Sequence, residues 1–345
     1  MEAKGYDIDF VIPWVDGSDP AWCREFRKYR DLCGCTEAAG TRGANGAADA
    51  SVERYRDWGT LRYWFRAVER FAPWVHRVHF VTWGHLPAWL DTAHPKLHVV
   101  RHADYMPQAY LPTFSSCPIE LNVHRIEGLA ERFVYFNDDT FLCRPVGPER
   151  FFLGGLPRDE ARLAVIPVER VGHNILECLA VVNRRYDKRT CVRRNAGKWF
   201  SRHYPAADML KTLMLLPWSF FTGFRDFHMP QPFRKDTFET LWKEEYALLD
   251  ATCRSRFRSA TDLSQWLVRY EQLASGRFAP VGMKDTKLVA LSETGMPQLE
   301  RDILSGKCAM VCMNDSNDIR DTEAVRFALK GIFTALLPEK SSYER

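Results

Sequence analysis

Unbroken apolar runs alternate with apolar stripes of helical period through the first half of this chain. Ile8 to Val15 reads as a buried strand that ends in the turn Asp16-Gly-Ser-Asp-Pro20. Asp57 stands where it can cap a following helix, in which Leu61, Trp64, Phe65 and Val68 fall at i, i+3, i+4 and i+7. Arg62, Arg66, Glu69 and Arg70 take the other side of that helix. Val78 to Trp83 and Leu97 to Val100 read as strands. Ser116 followed by Pro118 marks another helix start, with Ile119, Val123, Ile126 and Ala130 as its apolar face. Arg132 to Phe136 is again a buried strand, and Leu163 to Val168 is a further candidate. Strands alternating with helices predict an α/β fold with a parallel, Rossmann-like core.

The second half is richer in helix. Leu263, Trp266, Leu267 and Tyr270 form one apolar stripe, stopped by Gly276, and Val325 to Leu337 forms another, ended by Pro338. No repeat and no Pro/Ser linker separates the halves, so residues 7–345 read as one catalytic unit. Within it, 7–170 is the α/β half, 171–320 a helical half, and 321–345 a C-terminal helix and tail. The segment 31–52 is small and polar, too poor in apolar surface to order itself, and is expected to be a mobile loop over substrate.

Composition narrows the function classes. A chain of 345 residues that is 46% hydrophobic and 27% charged suits a globular protein with a large core. A net charge of +4 is too small to argue for nucleic acid. The denser basic stretch Arg189, Arg193, Arg194, Lys198 and Arg202 reads as a solvated face or as a surface for an anionic polymer or membrane. No G-x-G-x-x-G and no P-loop occurs, which disfavours dinucleotide and Walker-type NTP binding. The ten cysteines form no C-x-x-C pair. No apolar leader and no convincing membrane span is visible; Met209 to Phe224 is interrupted by Lys211, Pro217 and Gly223. A cytoplasmic protein with reduced thiols is the expectation.

Asn137-Asp138-Asp139 carries the strongest chemical signal. Adjacent carboxylates repel each other and add nothing to packing where a buried strand ends. They are well placed to hold a divalent cation at the carboxyl edge of an open sheet. Hard oxygen ligands suit Mg²⁺ or Mn²⁺, and such a metal suits a diphosphate. A polar strand-to-loop turn accounts for the pair equally well on these residues alone.

Ordered blocks along nearly the whole chain then align with a known family. They are Asp9-Phe-Val-Ile-Pro-Trp-Val-Asp-Gly-Ser-Asp-Pro20, Arg56-Asp-Trp-Gly-Thr-Leu-Arg-Tyr63, Leu111-Pro-Thr-Phe-Ser-Ser116, Asn137-Asp-Asp139, His228-Met-Pro230, Phe257-Arg-Ser259 and Cys312-Met-Asn-Asp-Ser316. The chain resembles the Stealth family of sugar-phosphate transferases. That family includes bacterial capsular and exopolysaccharide phosphotransferases and the catalytic subunit of the lysosomal-enzyme N-acetylglucosamine-1-phosphotransferase. The loop from Cys33 to Val52 and the pair Trp58-Gly59 depart from its pattern.

The resemblance implies a glycosyltransferase A-like core. It also implies transfer of a sugar-1-phosphate from a nucleotide sugar, usually a UDP-sugar, to a glycan hydroxyl, with nucleoside monophosphate released and a phosphodiester formed. Donor and metal would then lie in 7–170 and catalysis and acceptor in 171–320, with Asp138 and Asp139 as the acidic metal centre, Asp139 either ligating the metal or orienting the acceptor hydroxyl, and His228 as general base. Asp9 matches a family aspartate near the donor, and Arg258 a family arginine able to clamp phosphate, or alternatively to pair with Asp262. Trp14, Asp16 and Gly17 form a plausible nucleotide seat, with Arg56, Asp57, Arg62 and Asp315 as further donor contacts. His124 and Arg125 either brace the metal strand or touch ligand. Partners would be a nucleotide sugar and a polysaccharide acceptor, with peripheral attachment to a membrane polymer-synthesis complex at its inner face. A metal-dependent glycosyltransferase releasing UDP, and a non-catalytic nucleotide-sugar or glycan-binding protein, are the rival readings.

Overall fold

The computed structural model describes residues 5–33, 55–167, 172–316 and 318–345. Four parallel strands build the centre: β1 (Ile8–Pro13), β2 (Val78–Thr82), β3 (Leu97–Arg101) and β4 (Arg132–Tyr135). A strand from the second half, Gln231–Arg234, completes the sheet antiparallel to β4, giving the order β3-β2-β1-β4 followed by that return strand. The parallel 3-2-1-4 order is that of a Rossmann half, so the α/β reading holds and the second half is indeed rich in helix.

Strand alternation sets the two faces. Phe10, Ile12, Val134 and Phe136 enter the core on one side, packed on α2 (Leu61–Phe71). Val11, Phe133 and Tyr135 enter the core on the other, against helices of the second half such as Gln265–Ser275. Burial on both faces explains why these strands read as continuous apolar runs. Pro232 is tolerated because the return strand lies at the sheet edge, where one row of backbone donors needs no ladder partner.

The chain does not stop at the end of β4. It turns through Asn137-Asp138-Asp139 into β5 (Thr140–Leu142), which joins a second, three-stranded sheet with Met310–Asn314 and Thr286–Ala290. The acidic turn is therefore the joint between two sheets.

Several expectations need correction. β1 ends at Pro13, and β2 at Thr82. Asp57 does not cap α2; its carboxylate accepts from Gly59 N at 2.9 Å, and Thr60 precedes the helix. Arg66 does not face water: its guanidinium is buried against Glu344, with bonds of 2.6 and 2.8 Å, which seals the C-terminal tail onto α2. The helix at Ser116 stops at Asn122 and passes through a tight turn at Val123–Arg125, so Ile126 and Ala130 do not extend its face. Leu163 makes a single bridge to Phe224 and starts no strand. Asp31 to Cys33 end the helix α1 (Pro20–Cys33), and the rest of the expected loop lies outside the described residues.

Candidate active site

The apolar run of β4 buries Phe133 to Phe136 and delivers the acidic turn to the carboxyl edge of the sheet. Three elements converge on Asp139. His228, just before the return strand, places Nε2 3.5 Å from Asp139 Oδ2. Cys312, on the strand paired with β5, places Sγ 3.3 Å from the same oxygen. That pairing sets Cys312 opposite Thr140, and Met313 N donates to the Asp139 carbonyl at 2.9 Å. The other carboxylate oxygen, Oδ1, is buried and has no hydrogen-bond partner among the described residues.

His228 is the one non-glycine residue, among those described, with a left-handed backbone, φ 52°. Such a conformation costs about 1 kcal/mol or more and persists where the surroundings impose it. Here both flanks are pinned. Asp226 accepts from Arg269 at 2.5 Å and from the Tyr270 hydroxyl at 2.7 Å. Gln231, on the other flank, donates to Asp159, which the same buried Arg269 grips at 2.7 and 3.0 Å. Prolines alone do not hold this turn; an ion-paired frame does.

Two groups face one nitrogen of His228. Asn137 Nδ2 stands 3.3 Å from Nε2, and Asp139 Oδ2 stands 3.5 Å from it. A neutral Nε2 can accept from Asn137, and a protonated one can donate to Asp139. Asn137 is itself oriented by Gln265 Nε2 at 3.4 Å, and Gln265 N is held by the buried Glu120. Burial works against charge on His228, but the bond to Asp139 and the fields of Asp139, Glu120 and Asp226 outweigh it, so its pKa is raised. Asp138 is pushed up to about 7 by desolvation and by repulsion from Asp139 and Asp57. Water reaches the Asp138 side chain, so part of that rise is screened; the direction rests on the crowding of three carboxylates.

The acidic centre fits a divalent cation in part through Asp139, whose buried Oδ1 lacks any partner. Donor atoms of Asp139, His228 and Cys312 lie within 4.8 Å of one another; Asp138 is not in that group. Burial and the adjacent Asp139 carboxylate push the Cys312 thiol far up, which keeps it a proton donor to Asp139 and not a thiolate ligand. The oxygens that remain suit a hard cation.

Four of the residues expected at the donor, Trp14, Asp16, Asp57 and Arg62, lie together near this centre. They line one hollow of about 170 Å³, together with Gly59, Leu61, Pro87 and Trp89. Arg62 lies over the Trp89 ring at 5.4 Å. Desolvation and the neighbouring Asp16 raise the Asp57 pKa. Arg56 pairs with Asp315 at 3.0 Å, tying the loop before α2 to the end of the Met310–Asn314 strand. Arg258 donates to Ser116 Oγ at 2.6 Å, at the start of the helix that carries Glu120.

Two sequence expectations do not reach the site. Asp9 is fully buried near the amino end of β1, opposite Phe133, while the acidic turn follows the carboxyl end of β4. Its oxygens are taken by His76, His79 and Ala130 N at 2.8–2.9 Å, so it braces the sheet at the end away from the acidic turn. Gly17 does permit a close approach, but of its own chain: a Cβ there would stand 2.2 Å from the Tyr55 carbonyl oxygen. His124 and Arg125 brace, since His124 stacks on Phe238 and Arg125 lies 4.6 Å over Trp242. Sequence reasoning passed over Glu120, Gln265, Arg269 and Trp89. Cys312 stood in a quoted block but was given no role, because its place depends on a ladder between distant segments.

Residues 6–32 match the Stealth protein CR1 model, conserved region 1, and residues 54–158 match Stealth protein CR2, conserved region 2. The receptor polysaccharide phosphotransferase WefC of Streptococcus gordonii is 39% identical over 340 residues, covering 98% of each chain. The chain belongs to the Stealth family. The capsular polysaccharide phosphotransferase WcwK of Streptococcus pneumoniae is 36% identical over 347 residues, again 98% of each chain. The exopolysaccharide phosphotransferase cps2G of Lactiplantibacillus plantarum is 39% identical over 343 residues, 99% of this chain and 97% of that one. In this Stealth protein the first matched region supplies β1, Trp14 and Asp16, and the second supplies α2 and the acidic turn. His228, Arg258 and Cys312 come from beyond both.

Proposed function

We propose that this Stealth protein is a polysaccharide phosphotransferase that moves a sugar-1-phosphate from a nucleotide sugar, with a UDP-sugar as the expected donor, to a hydroxyl of a glycan acceptor. The observation that carries the reading is the approach of His228 to Asp139 at the sheet edge, in a chain related over its full length to proteins named polysaccharide phosphotransferases.

In this reading the nucleoside lies in the Trp14–Trp89 hollow and its diphosphate reaches toward Asp138 and Asp139. Asp139, with Asp138 beside it, would hold Mg²⁺ or Mn²⁺. When bound, the cation neutralises the diphosphate and favours departure of the monophosphate. His228 Nε2 accepts the acceptor's hydroxyl proton. The freed oxygen bonds to the sugar-linked phosphorus, and the bond from that phosphorus to the bridging oxygen breaks. Nucleoside monophosphate leaves, and the sugar's carbon–oxygen bond stays intact. Arg258 is suited to steadying phosphate oxygens, and Asn137 to orienting His228 before the proton arrives.

Incubation with a panel of nucleotide sugars, Mg²⁺ and a glycan acceptor tests this directly. Release of nucleoside monophosphate, with a phosphodiester signal in the phosphorus NMR of the product, is expected. Release of nucleoside diphosphate would mean glycosyl transfer instead. Donor binding without turnover under any metal or acceptor would mean a binding protein.

A further inference from the structure

The helix Ala206–Met214 carries its apolar stripe on the wrong side for a core. Leu210, Leu213 and Met214 fall at i, i+3 and i+4, a spacing that normally faces inward. Here they are 54–66% exposed, whereas Thr212 on the opposite side is buried. The chain then continues through Trp218 and Phe220, 49% and 53% exposed. This outward display is built, not loose. The buried Lys188 donates to the carbonyls of Leu215 and Trp218 at 2.6 and 2.7 Å, and Asn183 binds both the N–H and the carbonyl of Phe221. Backbone groups are satisfied inward, and the aromatic and aliphatic side chains are left to face out.

Positive charge borders the same surface. Arg189 donates to the Pro217 carbonyl at 3.2 Å, and Arg193 follows one helical turn later, both exposed. Lys211 is exposed within the apolar stripe itself. The nearby acids are occupied: Asp208 pairs with Arg162 at 2.7 Å, and Asp187 caps its own helix at Thr190 N. Behind the stripe, Val165, Ile166, Met214 and Leu215 share a cavity of about 620 Å³ with Arg162, Lys211 and Arg225.

We propose that this face docks on a bilayer carrying anionic headgroups, with Leu213, Met214, Trp218 and Phe220 entering the interface and Arg189, Arg193 and Lys211 meeting the phosphates. Exposed leucine, methionine and ring side chains flanked by arginine and lysine are the chemistry that a lipid–water boundary accepts. Neither chemistry alone explains the surface: a solvated basic face has no use for Trp218 and Phe220, and an apolar protein partner has no use for the cations. Among the described residues no helix is long and apolar enough to cross a membrane. The inference stands apart from the reaction proposed above, because none of these residues is in the acidic centre.

Flotation with vesicles tests it without any assay of turnover. The full chain should float with phosphatidylcholine vesicles containing about a third phosphatidylglycerol, and not with phosphatidylcholine alone, and high salt should weaken the binding. Trp218→Ser with Phe220→Ser, and separately Arg193→Glu with Lys211→Glu, should each reduce the bound fraction at least about tenfold while melting and monophosphate release on soluble acceptor stay unchanged. The wild-type chain remaining unbound to anionic vesicles would overturn the proposal, and needs no variant to fold. Undiminished flotation of both variants would overturn it too. So would light scattering that shows a dimer which the Trp218→Ser, Phe220→Ser pair converts to monomers, since the face would then belong to a second copy.

Discussion

His228 Nε2 lies 3.5 Å from Asp139 Oδ2, and Asn137 Nδ2 lies 3.3 Å from the same nitrogen. The imidazole thus has a partner in both protonation states. With its pKa raised by the Asp139 bond and the surrounding carboxylates, it keeps its proton to higher pH than an ordinary histidine and must lose it to act as a base. The rate should therefore rise with pH along an acid limb centred above 6.5. His228→Gln should lower turnover by about a hundredfold or more, abolish that limb and leave donor binding intact. Monophosphate release across pH, with calorimetry of donor binding, reads all three. A variant that retains the limb would assign the base elsewhere.

Asp138 and Asp139 should not be equivalent. Asp139 has the buried, unpartnered oxygen and the contacts to His228 and Cys312. Asp139→Asn is expected to weaken Mn²⁺ binding by about tenfold or more, and Asp138→Asn by much less. Titration followed by electron paramagnetic resonance compares them. Equal losses would show that the carboxylates share the cation.

Cys312 should act through its hydrogen and not as a nucleophile. Burial and Asp139 keep it a thiol, so alkylation of the native protein by iodoacetamide should spare it in a mass-spectrometric map. Cys312→Ser keeps a donor to Asp139 and should stay near wild-type turnover. Cys312→Ala removes it and should cost several-fold, about 1 kcal/mol.

Asp9 makes a separate prediction about stability. Burial alone would raise its pKa, but bonds from His79, Ala130 N and His76 outweigh that and hold it below the ordinary 3.8. The folded value is depressed, so the stabilisation is present above about pH 4 and is lost as pH falls through the folded pKa. Asp9→Ala should destabilise by about 3 kcal/mol, because it strands the buried Ala130 N–H and two imidazoles. Thermal melts at neutral and acidic pH should show the gap between wild type and variant closing on acidification. Turnover per folded molecule should be nearly normal; a collapse in turnover without loss of stability would return Asp9 to the donor site.

The central sheet was legible because its strands are buried on both faces and so read as apolar runs, and α2 because its stripe is regular. Arg66 misled because a charged residue can be buried when a distant carboxylate, here Glu344, meets it bidentately. The return strand was hidden by Pro232, which is acceptable only at a sheet edge, and by Pro230 just before it. Asp138, Asp139 and His228 could be picked out one by one. Their grouping could not, because the frame around His228 depends on Arg269, a residue whose two carboxylate partners lie 43 and 110 positions away in the chain. Asp9 shows the converse limit: position in a motif fixed its strand but not which end of the strand faces ligand.

The return strand also fixes when the centre can exist. His228 follows Asn137 by 91 positions, and its frame needs Arg269 later still. A growing chain therefore carries its acidic turn before His228 and Arg269 have been made. The centre is assembled only once the second half of the chain has returned to the first sheet.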